Sequence, residues 1–368
     1  MQHERYARQY VLQGFGEAGQ QKLQAARLLV VGAGGLGCPV LQYLVAAGVG
    51  HIGIIDHDRI ELSNLHRQVL YDTADIGQAK AEVAARKLRP QNPDIEITYW
   101  VGQLKPTNAA EQLRSYDVIL DCTDNFAARY LLCDACRLLD KPLIFGAIYQ
   151  YEGQVAVFNV ADAQGVKTNY RHLFPLPANS LEAPDCNTAG VLGVLPGMIG
   201  ILQATEAIKL LTGIGVVLIN KLMTVNLLDH STFTFDIPPA SPESSIHPQS
   251  LDALKDFDYI NSCASTTGQI QVITAADLVM HWHAADLQLI DVREIDELPR
   301  LPVPHLSIPL ATLPQHLEEL NHSRIVFVCQ SGKRSLAAAQ YYLERAIGKQ
   351  QVFHVDGGIM VLKNYFNE

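Results

Sequence analysis

Residues 328–335 read VCQSGKRS, a single cysteine followed closely by Gly, Lys, Arg and Ser. In such a loop successive main-chain N–H groups and the cations Lys333 and Arg334 can face the sulfur of Cys329, which favours the thiolate and so a nucleophile. Arg334 is the fifth residue after Cys329, one short of the cysteine-to-arginine spacing of a phosphatase loop, so the turn is too tight for phosphate. Far upstream lies a different chemistry. GAGGLG places Gly32, Gly34, Gly35 and Gly37 between an apolar run and a helical pattern, and Asp56 follows about twenty residues on. A turn of this kind brings main-chain N–H groups to phosphates at a helix N-terminus and offers the acid to ribose hydroxyls.

The glycine pattern alone fits NAD and an oxidoreductase, or a tight turn with no ligand. The residues after it bear on the choice of nucleotide. IDHDRIELSNLHRQ supplies Asp58, Asn64, Arg67 and Gln68, and GQAK opens the next helix with Lys80. A triphosphate needs more cationic side chains than a dinucleotide pyrophosphate, so Arg67 and Lys80 favour ATP. DCTDN then places Asp121, Asp124 and Asn125 at the end of a strand, where ligands of α/β sheets bind. A carboxylate there can hold Mg²⁺ through water and phosphate oxygens. Each residue alone reads equally as a solvated surface group; the set is what points to ATP.

Positioning these groups takes strands that end at one edge. ARLLVVGAGGLG passes from strand to turn to helix, and HIGIID is the next strand, ending at Asp56. The strands IEITYW, DVILDC and PLIFGA follow, alternating with the helical stretches QAKAEVAARKL, 107–114 and NFAARYLLCDACRLL. Alternation of this kind predicts βαβ units and a mainly parallel, Rossmann-like sheet. The strand QVAVF, a long polar stretch at 159–190 and an apolar helix from LGVLPGM onward complete the region. IPPASPESSIHPQ, at 237–249, has a linker's composition. Beyond it LQLIDVRE, RIVFVC, SLAAAQYYLERA and QVFHVDGG give a second, smaller α/β pattern. The expected division is a nucleotide domain at 1–236, a linker at 237–267 and a second domain at 268–368.

The bulk properties narrow the partners. At 368 residues two cores are expected, and 48% hydrophobic residues suffice for both. A net charge of −10 without a basic patch argues against a nucleic-acid or anionic membrane surface. The start MQHERYARQY lacks the apolar core of a signal peptide, so a cytoplasmic protein is expected. Seven cysteines, an odd number scattered along the chain, suggest reduced thiols rather than a disulfide framework.

Taken in order, RYARQ, GAGGLG, SNLHRQ, GQAK, DCTDN and AGVLGVLPGMIGILQATEAIK resemble the ThiF/MoeB/HesA group of ubiquitin-activating-enzyme-like adenylyltransferases, over roughly 1–236. The resemblance implies ATP-dependent adenylation of the C-terminal glycine of a small ubiquitin-like sulfur carrier ending in Gly-Gly. It implies ribose binding by Asp56, phosphate binding by Arg67 and Lys80, and a metal-associated aspartate at Asp124. Arg8 corresponds to an arginine supplied by the second subunit of a homodimer. Cys186, in APDCNTAGVLG, matches a loop cysteine implicated in holding the activated carrier or a sulfur bridge, and reads equally as a structural loop cysteine.

LIDVRE, CQSGKRS and HVDGGI resemble, in that order, a rhodanese (sulfurtransferase) domain over 268–368, in which Cys329 carries a persulfide and Arg334 adds positive charge. An inactive rhodanese-like module is the competing reading. Relatives of the first group typically carry two C-x-x-C pairs that bind structural zinc. Here TNYRHL, with Asn169 and His172, and NSCAST, with Cys263, stand where those pairs are expected, so no zinc is predicted. Cys133 and Cys136 lie within a predicted apolar helix and read as packing residues. The combined expectation is an adenylyltransferase with a sulfurtransferase domain, using ATP and Mg²⁺ and serving molybdopterin biosynthesis, with thiamine biosynthesis or tRNA thiolation as alternatives.

Overall fold

The computed structural model describes residues 2–175, 190–239, 247–259, 270–284, 286–345 and 350–365. The chain falls into two compact units, Met1–Cys263 and Ala264–Glu368.

The first unit is built on an eight-stranded sheet of order β3-β2-β1-β4-β5-β6-β7-β8. Its parallel half comprises β1 (Arg27–Val31), β2 (His51–Asp56), β3 (Glu96–Val101), β4 (Val118–Asp121) and β5 (Leu143–Tyr149). β1 and β2 are apolar and buried almost throughout, as parallel strands covered on both faces must be. The intervening helices are α1 (Gly16–Ala25), α2 (Gly37–Ala47), α3 (Lys80–Leu88), α4 (Ala109–Arg114) and α5 (Phe126–Leu138). β1 pairs with β2 on one side and β4 on the other, so the strand order reverses there and opens a crevice at the carboxyl ends.

β6 (Glu152–Phe158), β7 (Lys221–Asn226) and β8 (Thr232–Asp236) extend the sheet in antiparallel fashion. The last two form where the sequence pattern gave no element; their alternation is short and β8 is exposed throughout. Between β6 and β7 run α6 (Tyr170–Leu173) and the long α7 (Val194–Thr212). By length and composition α7 could cross a bilayer. Its buried Gln203, Ala204, Glu206 and Ala207 instead mark it as a core helix of this unit.

Part of the stretch read as a linker is folded. Residues 247–259 pack on the first unit through α8 (Leu251–Asp256), whose Leu254 is buried with the α5 side of the core. Arg137 donates to the Pro248 carbonyl, and Tyr259 donates to Asp134 at 2.7 Å. Arg171 grips the same carboxylate with two bonds of 2.8 Å. The Pro- and Ser-rich composition upstream hides these anchors, because they rely on partners far away in sequence.

The second unit is a five-stranded parallel sheet, β11-β10-β12-β13-β9, formed by β9 (Ile270–Ile273), β10 (Leu287–Asp291), β11 (Leu306–Ser307), β12 (Arg324–Val328) and β13 (Gln351–Val355). Helices α9 (Ala275–His281), α10 (Lys333–Arg345) and α11 (Gly358–Leu362) accompany it. The two α/β patterns expected from sequence are therefore both present.

Candidate active site

The crevice of the first unit holds a cavity of about 570 Å³, a usual size for a small-molecule site. Gly32, Gly34, Gly35, Asp56, Asp58, Asn64, Arg67, Gln68, Lys80 and Asp124, all picked out in the sequence, line it together. Three loops supply them, following β1, β2 and β4.

The glycines act differently. Gly32 has φ +97° and its Cβ would stand 2.5 Å from the Cys122 carbonyl, while a Cβ on Gly37 would meet the Gly32 carbonyl at 2.0 Å. Those two fix the turn against the neighbouring loop and the start of α2. At Gly34 the nearest neighbour of a Cβ is Gln68 Nε2 at 3.5 Å, so the protein itself leaves room there. A ligand approaching the main chain is the physical reason for a glycine at that place.

Asp56 ties the turn to β2. Its two carboxylate oxygens accept the Ala33 and Asp58 N–H groups, each at 2.7 Å. Burial pushes this carboxyl above its ordinary range, opposed chiefly by Lys80. Each oxygen keeps a lone pair for a further donor such as a ribose hydroxyl. Lys80, buried at the start of α3, pairs with Asp58 at 2.8 Å. Arg67 donates to the Ser63 carbonyl at 3.1 Å and is otherwise turned to the cavity. Gln68 is buried, yet among the described residues its Oε1 has no hydrogen-bond partner. An orphaned acceptor beside the glycine turn fits a ligand that brings its own donors.

The two aspartates of DCTDN part company. Asp121 is fully buried, accepts the Thr123 N–H and hydroxyl at 2.9 and 2.6 Å, and lies 3.7 Å from Arg129 Nε. Burial raises its carboxyl above the ordinary range, with Arg129 opposing. Asp124 is exposed and lines the cavity. A hard cation takes oxygen ligands, so a free carboxylate beside the glycine turn is the donor that suits Mg²⁺.

Three expected residues stand elsewhere. Gly37 has the packing role already described. Asn125 caps α5, accepting the Ala128 N–H at 2.9 Å, and does not line the cavity. Arg8 is exposed on the one-turn helix Ala7–Tyr10 and lies outside the cavity of its own chain. Cys186 falls outside the described residues. Conversely, Arg59, Phe126, Arg129, Tyr149, Glu152, Gln154, Tyr170 and Phe174 also line the cavity, although the sequence did not single them out. Tyr149 and Glu152 were legible in principle, since a turn between two alternating strands points them to one face.

The residues that stand where relatives carry zinc-binding cysteine pairs have other work. Asn169 caps α6 on the Arg171 N–H, while the Asn169 N–H donates to His172 Nδ1 at 3.1 Å, closing a capping box. Burial, with His247 nearby, holds the His172 imidazole below its usual range. Cys263 lies outside the described residues. Cys133 and Cys136 are buried in α5, and burial pushes the Cys133 thiol up to about 12, as suits packing. Among the described residues one trio of possible metal ligands converges, Asp56, His57 and Asp58, and both carboxylates are already engaged.

In the second unit Cys329 directly follows β12 and α10 starts at Lys333, leaving Gln330, Ser331 and Gly332 between them. The Cys329 side chain is buried, its thiol directed to Ser335 Oγ at 3.6 Å, and Ser335 in turn donates to the Gly332 carbonyl at 2.9 Å. The HVDGGI motif locks the loop from behind. The Ile359 and Met360 N–H groups, in the first turn of α11, donate to the Cys329 and Gln330 carbonyls at 2.8 and 3.2 Å. A Cβ on Gly358 would stand 2.1 Å from that Cys329 carbonyl. The LIDVRE motif contributes Arg293, which is buried on Asp291 and reaches Gln330 Oε1 at 3.2 Å. Arg334 is held by Glu297, one of its two bonds measuring 2.7 Å, so its charge is partly neutralised.

Comparison with known proteins agrees with this division. The profile of the ThiF family matches residues 6–246, and that of the rhodanese-like domain matches 274–364. The probable adenylyltransferase/sulfurtransferase MoeZ of Mycobacterium tuberculosis is 38% identical over 370 residues, covering 97% of this chain and 91% of its own. The sulfur carrier protein adenylyltransferase of Thermus thermophilus is 51% identical over 229 residues, covering 62% of this chain and 84% of its own. The SAMP-activating enzyme E1 of Haloferax volcanii is 42% identical over 266 residues, covering 72% and 96%. In fold, the chain resembles Escherichia coli MccB, with a TM-score of 0.57 at 22% identity over 67% of this chain and 74% of that one. A Rossmann-like unit with this cavity, followed by a cysteine-loop unit, places the chain in the ThiF family, among the enzymes that join an adenylyltransferase to a C-terminal rhodanese-like sulfurtransferase domain.

Proposed function

We propose that this chain uses ATP and Mg²⁺ to adenylate the C-terminal glycine of a ubiquitin-like sulfur carrier, then transfers sulfur to it from a persulfide on Cys329. The observation carrying the proposal is that one cavity gathers a glycine turn, Arg67, Lys80 and Asp124 in the chain that also bears the Cys329 loop. Asp56 would bind ribose, and the glycine turn, Asn64, Arg67, Gln68 and Lys80 the phosphates. Asp124 would hold the cation, which when bound neutralises phosphate charge.

The carrier carboxylate attacks the α-phosphorus, the α–β bridge breaks, and pyrophosphate leaves with its charge met by Arg67 and Lys80. A carboxylate is a poor electrophile and its mixed anhydride with AMP a good one, so the protein's contribution is position and charge. The Cys329 persulfide then attacks the acyl carbon and AMP departs, leaving an acyl disulfide on Cys329. A second thiol attacking Cys329 Sγ releases the thiocarboxylate and is itself oxidised into a disulfide.

The sheet suggests how the carrier lies. Directly opposed residues of antiparallel strands share a face. Ala147 opposes Gln154, Gln154 opposes Thr224, and Thr224 opposes Phe233, so one face runs from the cavity to β8. There Phe233 and Phe235 are exposed, their rings 6.3 Å apart. Three strand spacings amount to about 14 Å, which a few extended tail residues span, leaving the carrier's folded body over the phenylalanines.

A homodimer would bring Arg8 to a neighbour's cavity. The exposed Tyr43, Val194, Met198 and Ile201, on α2 and α7, offer an apolar face for that second copy. Molybdopterin biosynthesis is the pathway favoured by the fused rhodanese-like domain, with thiamine biosynthesis and tRNA thiolation as alternatives, and the reduced cysteines suit the cytoplasm. The test is carrier-dependent ATP–pyrophosphate exchange, with mass spectrometry for a thiocarboxylate on the carrier. Stabilisation by NAD in place of ATP–Mg²⁺, with no exchange, would overturn the reading.

A further inference from the structure

The long helix α7 touches every loop of the nucleotide cavity. A Cβ on Gly193, just before the helix, would stand 2.3 Å from the His66 carbonyl in the Asn64–Gln68 loop. Pro196 packs on Gly35, and Gly200 on the Leu36 carbonyl, both in the glycine turn. One helical turn further, Gln203 reaches the loop that bears Asp124.

Gln203 is completely buried. Its Nε2 donates to the Asp121 carbonyl at 2.7 Å and to the Ile144 carbonyl at 3.3 Å, while Oε1 lies 3.7 Å from the Cys122 thiol. The β4–β5 ladder ends at the pair Asp121–Phe145, so this amide bridges the end of β4 to β5 next to where their own pairing stops. Gly146 leaves space for it: a Cβ there would lie 2.4 Å from Gln203 Cδ. A buried amide is costly unless all its bonds are made, and an apolar side chain would fill a helix–sheet contact at less expense. The amide's shorter donor bond and its acceptor go to the segment that turns into Asp124, three residues beyond Asp121, and its longer donor bond ties that segment to β5.

We infer that Gln203 is a positioning residue for adenylation: from α7 it fixes the backbone of residues 121–124, and with it the Asp124 carboxylate, without touching the nucleotide. The inference rests on the adenylation reading for its effect on rate. Its effect on the loop is independent of that reading.

Gln203→Met, Gln203→Glu and Cys122→Ala are compared with wild type in the full chain. Misplacing a catalytic group by about 1 Å costs on the order of 100-fold. Gln203→Met is expected to lower the exchange rate constant by about 10- to 100-fold, leave KM for ATP within about 3-fold, and raise the Mg²⁺ concentration for half-maximal rate several-fold. Amide hydrogen exchange at residues 122–126 should quicken. A buried glutamate at 203 stays protonated and can donate one O–H to the Asp121 carbonyl, so Gln203→Glu should fall between Met and wild type and lose activity as pH rises. Cys122→Ala, which keeps both carbonyl bonds, should stay within about 3-fold of wild type.

Wild-type Mg²⁺ dependence together with unchanged amide exchange at 122–126 in Gln203→Met, or in Gln203→Glu if the first variant does not fold, overturns the inference. A wild-type chain silent in ATP–pyrophosphate exchange would sink the adenylation reading instead, and the amide-exchange comparison would still decide the role of Gln203.

Discussion

Lys80 and Asp58 face each other at the edge of the nucleotide cavity, with Nζ 2.8 Å from Oδ2, the lysine buried and the aspartate half exposed. The ion pair holds the lysine in place, and phosphate oxygens entering the cavity compete with Asp58 for it. Lys80→Met should therefore cut ATP–pyrophosphate exchange by about 100-fold or more, since an ion clamp on a transferring phosphate acts chiefly in the transition state. Asp58→Asn, which keeps the lysine, should change the rate by less than about 10-fold. Steady-state exchange kinetics on the two variants check the order.

Asp121 and Asp124 sit in one pentapeptide yet should fail in opposite ways. Asp124→Ala removes an exposed carboxylate; exchange should vanish while stability moves by less than about 0.5 kcal/mol. Asp121→Ala removes the buried carboxylate that Arg129 and Thr123 share and should cost on the order of 3 kcal/mol. Chemical denaturation of both variants, alongside exchange, separates them.

Cys329→Ala should leave carrier-dependent exchange within about 2-fold of wild type and abolish thiocarboxylate formation, because the thiol acts after the anhydride exists. Asp124→Ala should do the reverse, retaining sulfur transfer from thiosulfate to cyanide. Loss of exchange in the cysteine variant would contradict this division of labour.

Phe233 and Phe235 are exposed on the edge strand and make no part of the core. Changing both to serine should raise KM for the carrier by about 10-fold or more, the scale of losing an aromatic anchor, with KM for ATP unchanged. Titrating carrier at saturating ATP measures it.

Glu297 gives a pH signature. Arg334 beside it pulls its carboxyl from an ordinary 4.5 down to about 2. A carboxylate lowered in the folded state stabilises fully above its unfolded value, and that stabilisation is lost as pH falls from about 4.5 toward about 2. The pair is partly exposed, so its worth is roughly 0.2–1 kcal/mol. In scanning calorimetry of the full chain, Glu297→Gln should lower Tm slightly at pH 6, and the difference from wild type should shrink by pH 3.

Much of the molecule was legible in its residues. The glycine turn, the acid closing the second strand and the cationic helix start are local patterns, and each implies its own strand end or helix N-terminus. Short-range signals of this kind fixed the Rossmann-like unit, the cysteine loop and ten of the residues that line the cavity. Apart from the family resemblance, the residue pattern could not separate Asp121 from Asp124, because burial depends on which neighbours close over a carboxylate. It also missed the Arg171–Asp134–Tyr259 clasp that folds 247–259 onto the first unit, whose partners are 37 and 125 residues apart along the chain. Gln203 read as one more residue of an apolar helix until the end of β4 was laid against it. Local chemistry is written in adjacent residues; which of those groups face solvent, a ligand or one another is decided by packing across the chain, and that exists only once the sheet has formed.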